Sequence, residues 1–89
     1  MALHLIVHGI VQGVGYRESM RYEAKRLGIT GWVRNRLDHT VEAVIDGGDD
    51  ALAIMLDWAK RGPAAARVDA VETQKIEGRF KHFEVRPTA

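Results

Sequence analysis

A chain of 89 residues has room for one hydrophobic core, and its 46% hydrophobic and 28% charged composition is that of a folded globular protein, so a single domain over residues 1–89 is expected. No apolar run approaches the roughly 20 residues of a membrane span, and Met1 to Val7 lacks the basic head and cleavage-type end of a secretory signal, which points to a cytoplasmic protein without a membrane partner. The absence of cysteine excludes disulfides, cysteine-ligated zinc and thiolate catalysis, and 13 basic against 12 acidic residues leave a net charge of +1, too small for a global pull on nucleic acid.

Leu3, Leu5 and Val7 alternate with His4, Ile6 and His8, the pattern of a strand with one face inward. A glycine-rich stretch follows, and from Tyr16 the spacing becomes helical, with Tyr16, Met20, Ala24 and Leu27 on one face and Gly28 placed to end the helix. "TGWVRN" and "TVEAVID" are period-2 runs joined by the turn-forming "RLDH", which predicts an antiparallel hairpin. Gly47 and Gly48 stop the second strand, and Asp49 or Asp50 is expected to cap a second helix with Ala51, Ile54 or Met55, and Trp58 inward, ended by Gly62 and Pro63. "RVDAVETQKIE" reads as a fourth strand and "HFEVR" as a short last one with Phe83 and Val85 inward. The order β, α, β, β, α, β with a short extra C-terminal strand is the ferredoxin-like α+β sandwich, an antiparallel sheet with two helices on one face. Fold alone selects no function, because that architecture serves RNA binding, metal handling and catalysis alike.

The segment "HGIVQGVGYR" sets Gly9, Gly13 and Gly15 ahead of the helix and closes on Arg17. Glycine lets consecutive amides turn toward one point, and a helix N-terminus with an arginine in its first turn suits a small phosphoryl group; the alternative is a plain tight turn. Neither G-x-x-x-x-G-K-[ST] nor G-x-G-x-x-G is present, so ATP and dinucleotides are not expected. Cysteine phosphatases also end such a loop in arginine, but the position their thiolate needs is Val11 here, and there is no Asp-x-Asp nucleophile pair. Water is left as the nucleophile.

"VHGIVQGVGYR" and "GWVRNRLDHTVEAVIDG" resemble the two signature segments of acylphosphatases, in the right order and spacing, and "GPAAARVDAVE" with "FEVR" is similar to the second half of that family. The resemblance implies a metal-independent hydrolase that splits the carboxyl-phosphate anhydride of a small-molecule acyl phosphate into carboxylate and inorganic phosphate, with no cofactor. It implies further that the phosphoryl oxygens are bound by Gly9, Ile10, Val11, Gln12, Gly13, Val14 and Gly15 together with Arg17, that Asn35 orients the attacking water, and that the phosphate product inhibits. A monomer is expected. Two positions depart from the family pattern: Tyr16 stands where Phe or Met is commoner, so its hydroxyl needs a partner, and His39 stands where a turn glycine is expected, which asks it for a positive φ.

Other residues have plainer readings. His4 and His8 share a strand face but have no sequence-local acidic or cysteine partner for a metal, His82 reads as a solvated strand residue, and Trp32, Trp58, Met20 and Met55 read as packing or sheet-surface residues rather than a stacking platform. Arg34, Arg36, Arg61 and Arg67 are dispersed, as surface charge is. An RNA-binding module on the same fold would need the pattern [KR]-G-[FY]-[GA]-[FY]-V-x-[FY], which this chain lacks.

Overall fold

A computed structural model describes residues 1–89. The chain runs β1 (Ala2–Ile10), α1 (Tyr16–Leu27), β2 (Thr30–Asn35), β3 (Val41–Asp46), α2 (Asp49–Arg61), β4 (Arg67–Ile76) and β5 (Phe83–Val85). The strands form one sheet in the order β4-β1-β3-β2-β5. The β1–β3, β1–β4 and β2–β3 pairs are antiparallel, as the sequence predicts; β5 lies parallel to β2, so the sheet is mixed. The parallel pair follows from the last strand returning to the free edge of β2 rather than forming a hairpin with β4.

Period-2 alternation along the strands sends Leu5, Val7, Val33, Val41, Ala43 and Ile45 to one face, where both helices cover them. Helix α1 lies over β2 and β5 and α2 over β4, the two helices touching each other. Tyr16, Met20 and Ala24 form the buried stripe of α1, and Leu27, included in it on spacing, is only half-buried. The stripe of α2 is Leu52, Met55 and Ala59: Ile54 is exposed, and Ala51 and Trp58 sit at the border. Met55 is inward as expected, and Leu52 and Ala59 replace Ala51 and Trp58, a rotation of one residue from that face. Nor is α2 capped by Asp49 or Asp50. Gly48 holds the N-cap without a side-chain bond, and both aspartates fall in the first turn. Phe83 enters the core, but Val85 remains 37% exposed because β5 is an edge strand only three residues long.

Strand order brings the last residue of β2 and the first of β3 together, Asn35 opposite Val41, and Val41 faces Val7 near the end of β1. The connection from β1 to α1 and the hairpin turn after Asn35 therefore share one end of the sheet.

Candidate active site

The glycine-rich connection is shorter than the sequence suggests. Gly9 and Ile10 belong to β1, paired with Val68 and Arg67, after a register shift between His8 and Gly9. A Cβ on Gly9 would stand 2.0 Å from the Arg67 carbonyl oxygen, so glycine is required there by the close approach of β4. The loop proper is Val11 to Gly15. Val11 is buried in the core and Val14 packs against it, which anchors the loop from below. Gly13 and Gly15 have φ of +77° and +80°, with open space where a Cβ would be, so backbone conformation alone selects glycine at both.

None of the backbone N–H groups from Val11 through Glu18 donates to a protein acceptor; the first amide to do so is that of Ser19, to the Gly15 carbonyl at 3.0 Å. A run of free donors thus leads into the positive end of the 12-residue helix α1. Arg17, half-buried in the first turn, has no carboxylate within ion-pair distance, whereas Arg21, Arg26, Arg34, Arg36, Arg61, Arg67 and Arg86 each have one. Free amides beside an uncompensated guanidinium can take an anion with several oxygens.

Asn35, half-buried at the end of β2, carries the one buried side-chain polar atom without a hydrogen-bond partner, its Oδ1. Its surroundings are tightly held. Arg36 N–H donates to the Thr40 carbonyl at 2.9 Å and His39 N–H to the Arg36 carbonyl at 3.2 Å, closing the turn. Asp38 Oδ1 accepts from the Thr40 hydroxyl at 2.6 Å and from its N–H at 3.1 Å, and these bonds hold the carboxyl below the usual carboxylate range. His39 adopts φ +73°, the conformation expected where it replaces a turn glycine. The Ala89 N–H donates to the Asn35 carbonyl at 3.0 Å, and the Ala89 carbonyl accepts from Leu37 N–H at 2.9 Å, so residues past β5 brace the same turn.

Tyr16 finds the partner its hydroxyl needs: it donates to the Ala59 carbonyl on α2 at 2.7 Å, beside Trp58 with ring centroids 5.3 Å apart. Burial pushes its pKa far above the ordinary tyrosine value, so it acts as a packing residue and donor. Sequence reasoning missed the side chain of Gln12, whose Nε2 donates to the carbonyls of Arg36 at 2.8 Å and Thr40 at 2.9 Å. A long amide within an otherwise small and apolar loop was the available signal.

On the uncovered sheet face His4 Nε2 meets Glu42 Oε2 at 2.7 Å, and Arg34 Nε donates to Glu42 Oε1 at 2.7 Å. Burial raises the Glu42 pKa, but the His4 and Arg34 hydrogen bonds outweigh it and the net shift is downward. His8 pairs with Glu72, and Arg34 and Arg86 stack on Trp32. No group of three or more His, Cys, Asp or Glu is arranged as a metal site. The largest concavity, about 350 Å³, lies between the helices and is lined by Glu18, Ser19, Tyr22, Glu23, Trp58 and Pro63. Its carboxylates suit an anion poorly. No residue from Val11 to Gly15 lines this concavity or the two smaller ones.

The fold and this end of the sheet define a small α+β sandwich protein that offers backbone donors and one arginine to an anion. Solved structures of the same architecture include an acylphosphatase from Coxiella burnetii, with a TM-score of 0.92 at 40% identity over 96% of this chain and 90% of that one. An acylphosphatase from Bacillus subtilis superimposes with a TM-score of 0.89 at 32% identity, covering 96% of this chain and 97% of the other. In sequence the chain is 55% identical to an acylphosphatase of Thiobacillus denitrificans over 94% of both chains. The acylphosphatase family pattern matches residues 3–85, and the chain belongs to the acylphosphatase family. It is an enzyme that hydrolyses the carboxyl-phosphate bond of small acyl phosphates.

Proposed function

We propose that hydrolysis proceeds by direct attack of water on a phosphoryl group held by the loop amides and Arg17, with Asn35 orienting the water and neither a metal nor a covalent phosphoenzyme involved. The observation that carries this reading is the run of undonated amides from Val11 to Glu18 beside an arginine without a carboxylate. The Asn35 side chain supports the water-orienting role in that its Oδ1 has no protein partner, so the amide is not committed to holding the turn. In this reading Gln12, Gly13, Val14 and Gly15 contribute amides with Val11, while Gly9 and Ile10 shape the approach of β1 to the loop.

The chemistry asks little else of the protein. A carboxylate leaving group has a conjugate-acid pKa of about 4 and departs without a general acid. What remains is positioning and charge stabilisation at the phosphoryl oxygens. Asparagine is no base at neutral pH, so the water's proton passes to a phosphoryl oxygen or to solvent. Residues 1–89 act as one domain and as a monomer, a reading supported by a single sheet whose uncovered face is dressed with ion pairs. A chain without cysteine is at home in the reducing cytoplasm, and nothing in the basic residues' dispersal favours nucleic acid.

Hydrolysis of benzoyl phosphate in excess chelator tests the reading. Activity is expected to persist there. Arg17→Ala should weaken phosphate inhibition and turnover together, and Arg17→Lys should restore little, because a point charge cannot reproduce the planar fork. Asn35→Ala should lower kcat by on the order of 10²-fold while phosphate still binds. Unchanged phosphate affinity in Arg17→Ala, or near-normal turnover in Asn35→Ala, would overturn the assigned roles.

A further inference from the structure

We propose that Gln12 is a positioning residue: its side chain clamps the loop to the hairpin turn and thereby sets Asn35 against the phosphoryl cradle, an inference that rests on the roles given above to the loop and to Asn35. Both N–H bonds of one amide are used, one to the Arg36 carbonyl at 2.8 Å and one to the Thr40 carbonyl at 2.9 Å. No other side-chain hydrogen bond joins residues 11–15 to residues 35–40.

The two carbonyls are not incidental acceptors. Thr40 O also receives Arg36 N–H and Arg36 O also receives His39 N–H, so each of these carbonyls accepts one bond from within the turn and one from Gln12. That turn carries a histidine at φ +73°, a local cost that persists only where surrounding bonds hold it. Arg36 follows Asn35 directly, so a shift of its carbonyl moves the Asn35 side chain relative to the loop. The amide N–H of Gln12 meanwhile belongs to the free donor run. One residue therefore joins the donors proposed for the phosphoryl group to the side chain proposed for the water. Misplacement of a reacting group by about 1 Å can cost on the order of 10²-fold in rate, so a clamp of this kind affects turnover more than affinity.

The test compares Gln12→Met, which keeps length and loses both donors, with Gln12→Glu, alone and in the Asn35→Ala background, using benzoyl phosphate turnover, phosphate inhibition and melting temperature. Gln12→Met is expected to lower kcat by about 10-fold to 100-fold, with KM and the phosphate inhibition constant within about twofold of the parent. In Gln12→Glu a carboxylate faces two carbonyls, which favours its protonated form; activity relative to Gln12→Met at the same pH should rise as pH falls and one O–H donor returns. A loss of packing alone would give no such pH-dependent recovery. With Asn35 already replaced by alanine, Gln12→Met should cause no further loss.

An impaired Asn35→Ala enzyme in which Gln12→Met multiplies the loss would overturn the clamp while leaving the Asn35 role standing. An Asn35→Ala enzyme with normal turnover would overturn both. A KM increase matching the fall in kcat, or Gln12→Glu tracking Gln12→Met at every pH, also counts against the proposal. Should Gln12→Met fail to fold, kcat of Gln12→Glu at saturating substrate relative to the parent at each pH decides the matter: a ratio that rises as pH falls supports the clamp, and a flat ratio overturns it.

Discussion

The chain connects a strand to a helix twice, and the two connections answer the same physical problem in opposite ways. Each helix begins at a glycine N-cap that supplies no side-chain bond, Gly15 for α1 and Gly48 for α2, so each leaves first-turn amides and the positive end of a helix dipole unsatisfied. At α2 the chain provides its own counter-charge, Asp49 and Asp50 in the first turn. At α1 the first turn instead adds the unpaired Arg17, the one nearby acid, Glu18, is turned to Arg21, and five loop residues extend the free donors. One terminus carries its own counter-charge, and the other carries free donors beside a positive charge. A helix N-terminus is a generic feature; which charge the sequence sets beside it decides whether it becomes a site.

The largest expected effect tests that contrast directly. Inorganic phosphate at one hundred times its dissociation constant should stabilise the protein by about 2.7 kcal/mol, read as a rise in melting temperature. The rise should be retained in an Asp49→Asn, Asp50→Asn double variant and largely lost in Arg17→Ala. Equal stabilisation of Arg17→Ala would mean that the two termini do not differ as described.

A smaller effect separates the two N-cap glycines. Gly15→Ala should cost about 1–2 kcal/mol in denaturant unfolding, because φ of +80° is unfavourable for an L-residue although no atom stands in the way of its Cβ. Gly48 has φ −70° and ψ 162°, ordinary extended backbone in open space, so Gly48→Ala should change stability by no more than a few tenths of a kcal/mol, and Gly48→Ser should add stability on a similar scale by capping α2. Equal losses at both positions would show that the positive φ of Gly15 does not set the glycine requirement there.

The smallest effect lies in the hairpin turn. His39 is exposed at φ +73° with no side-chain hydrogen bond, so His39→Gly should stabilise by up to roughly 1 kcal/mol and leave turnover nearly unchanged. A destabilised variant would reveal that the imidazole supports the turn carrying Asn35.

Much of this architecture is legible in the sequence, for identifiable reasons. Alternation fixes which side chains of β1, β2 and β3 can share a core, and a switch to 3.6-residue spacing at Tyr16 marks α1, because both periods are imposed by backbone geometry. Periodicity leaves the face of α2 open by one residue, with Met55 buried as expected but Leu52 and Ala59 in place of Ala51 and Trp58, because Leu52, Ile54, Met55 and Leu56 lie too close together for spacing to choose among them. The N-cap of α2 is Gly48 rather than an aspartate, and sequence does not reveal this because aspartate favours both the cap and the first turn of a helix.

What the sequence by itself determined is the local chemistry: the alternation, the glycines that permit positive φ, the arginine after the loop, and the two segments that resemble acylphosphatases. Only the tertiary structure decided which donors remain free. That Gly9 and Ile10 belong to the β1–β4 ladder while Val11 to Glu18 lie outside it, that β5 runs parallel to β2, and that Gln12 reaches across to the turn after Asn35 all depend on pairings between distant segments. A hydrogen bond across 24 residues leaves no period in the chain, because its partners are backbone carbonyls that every residue possesses.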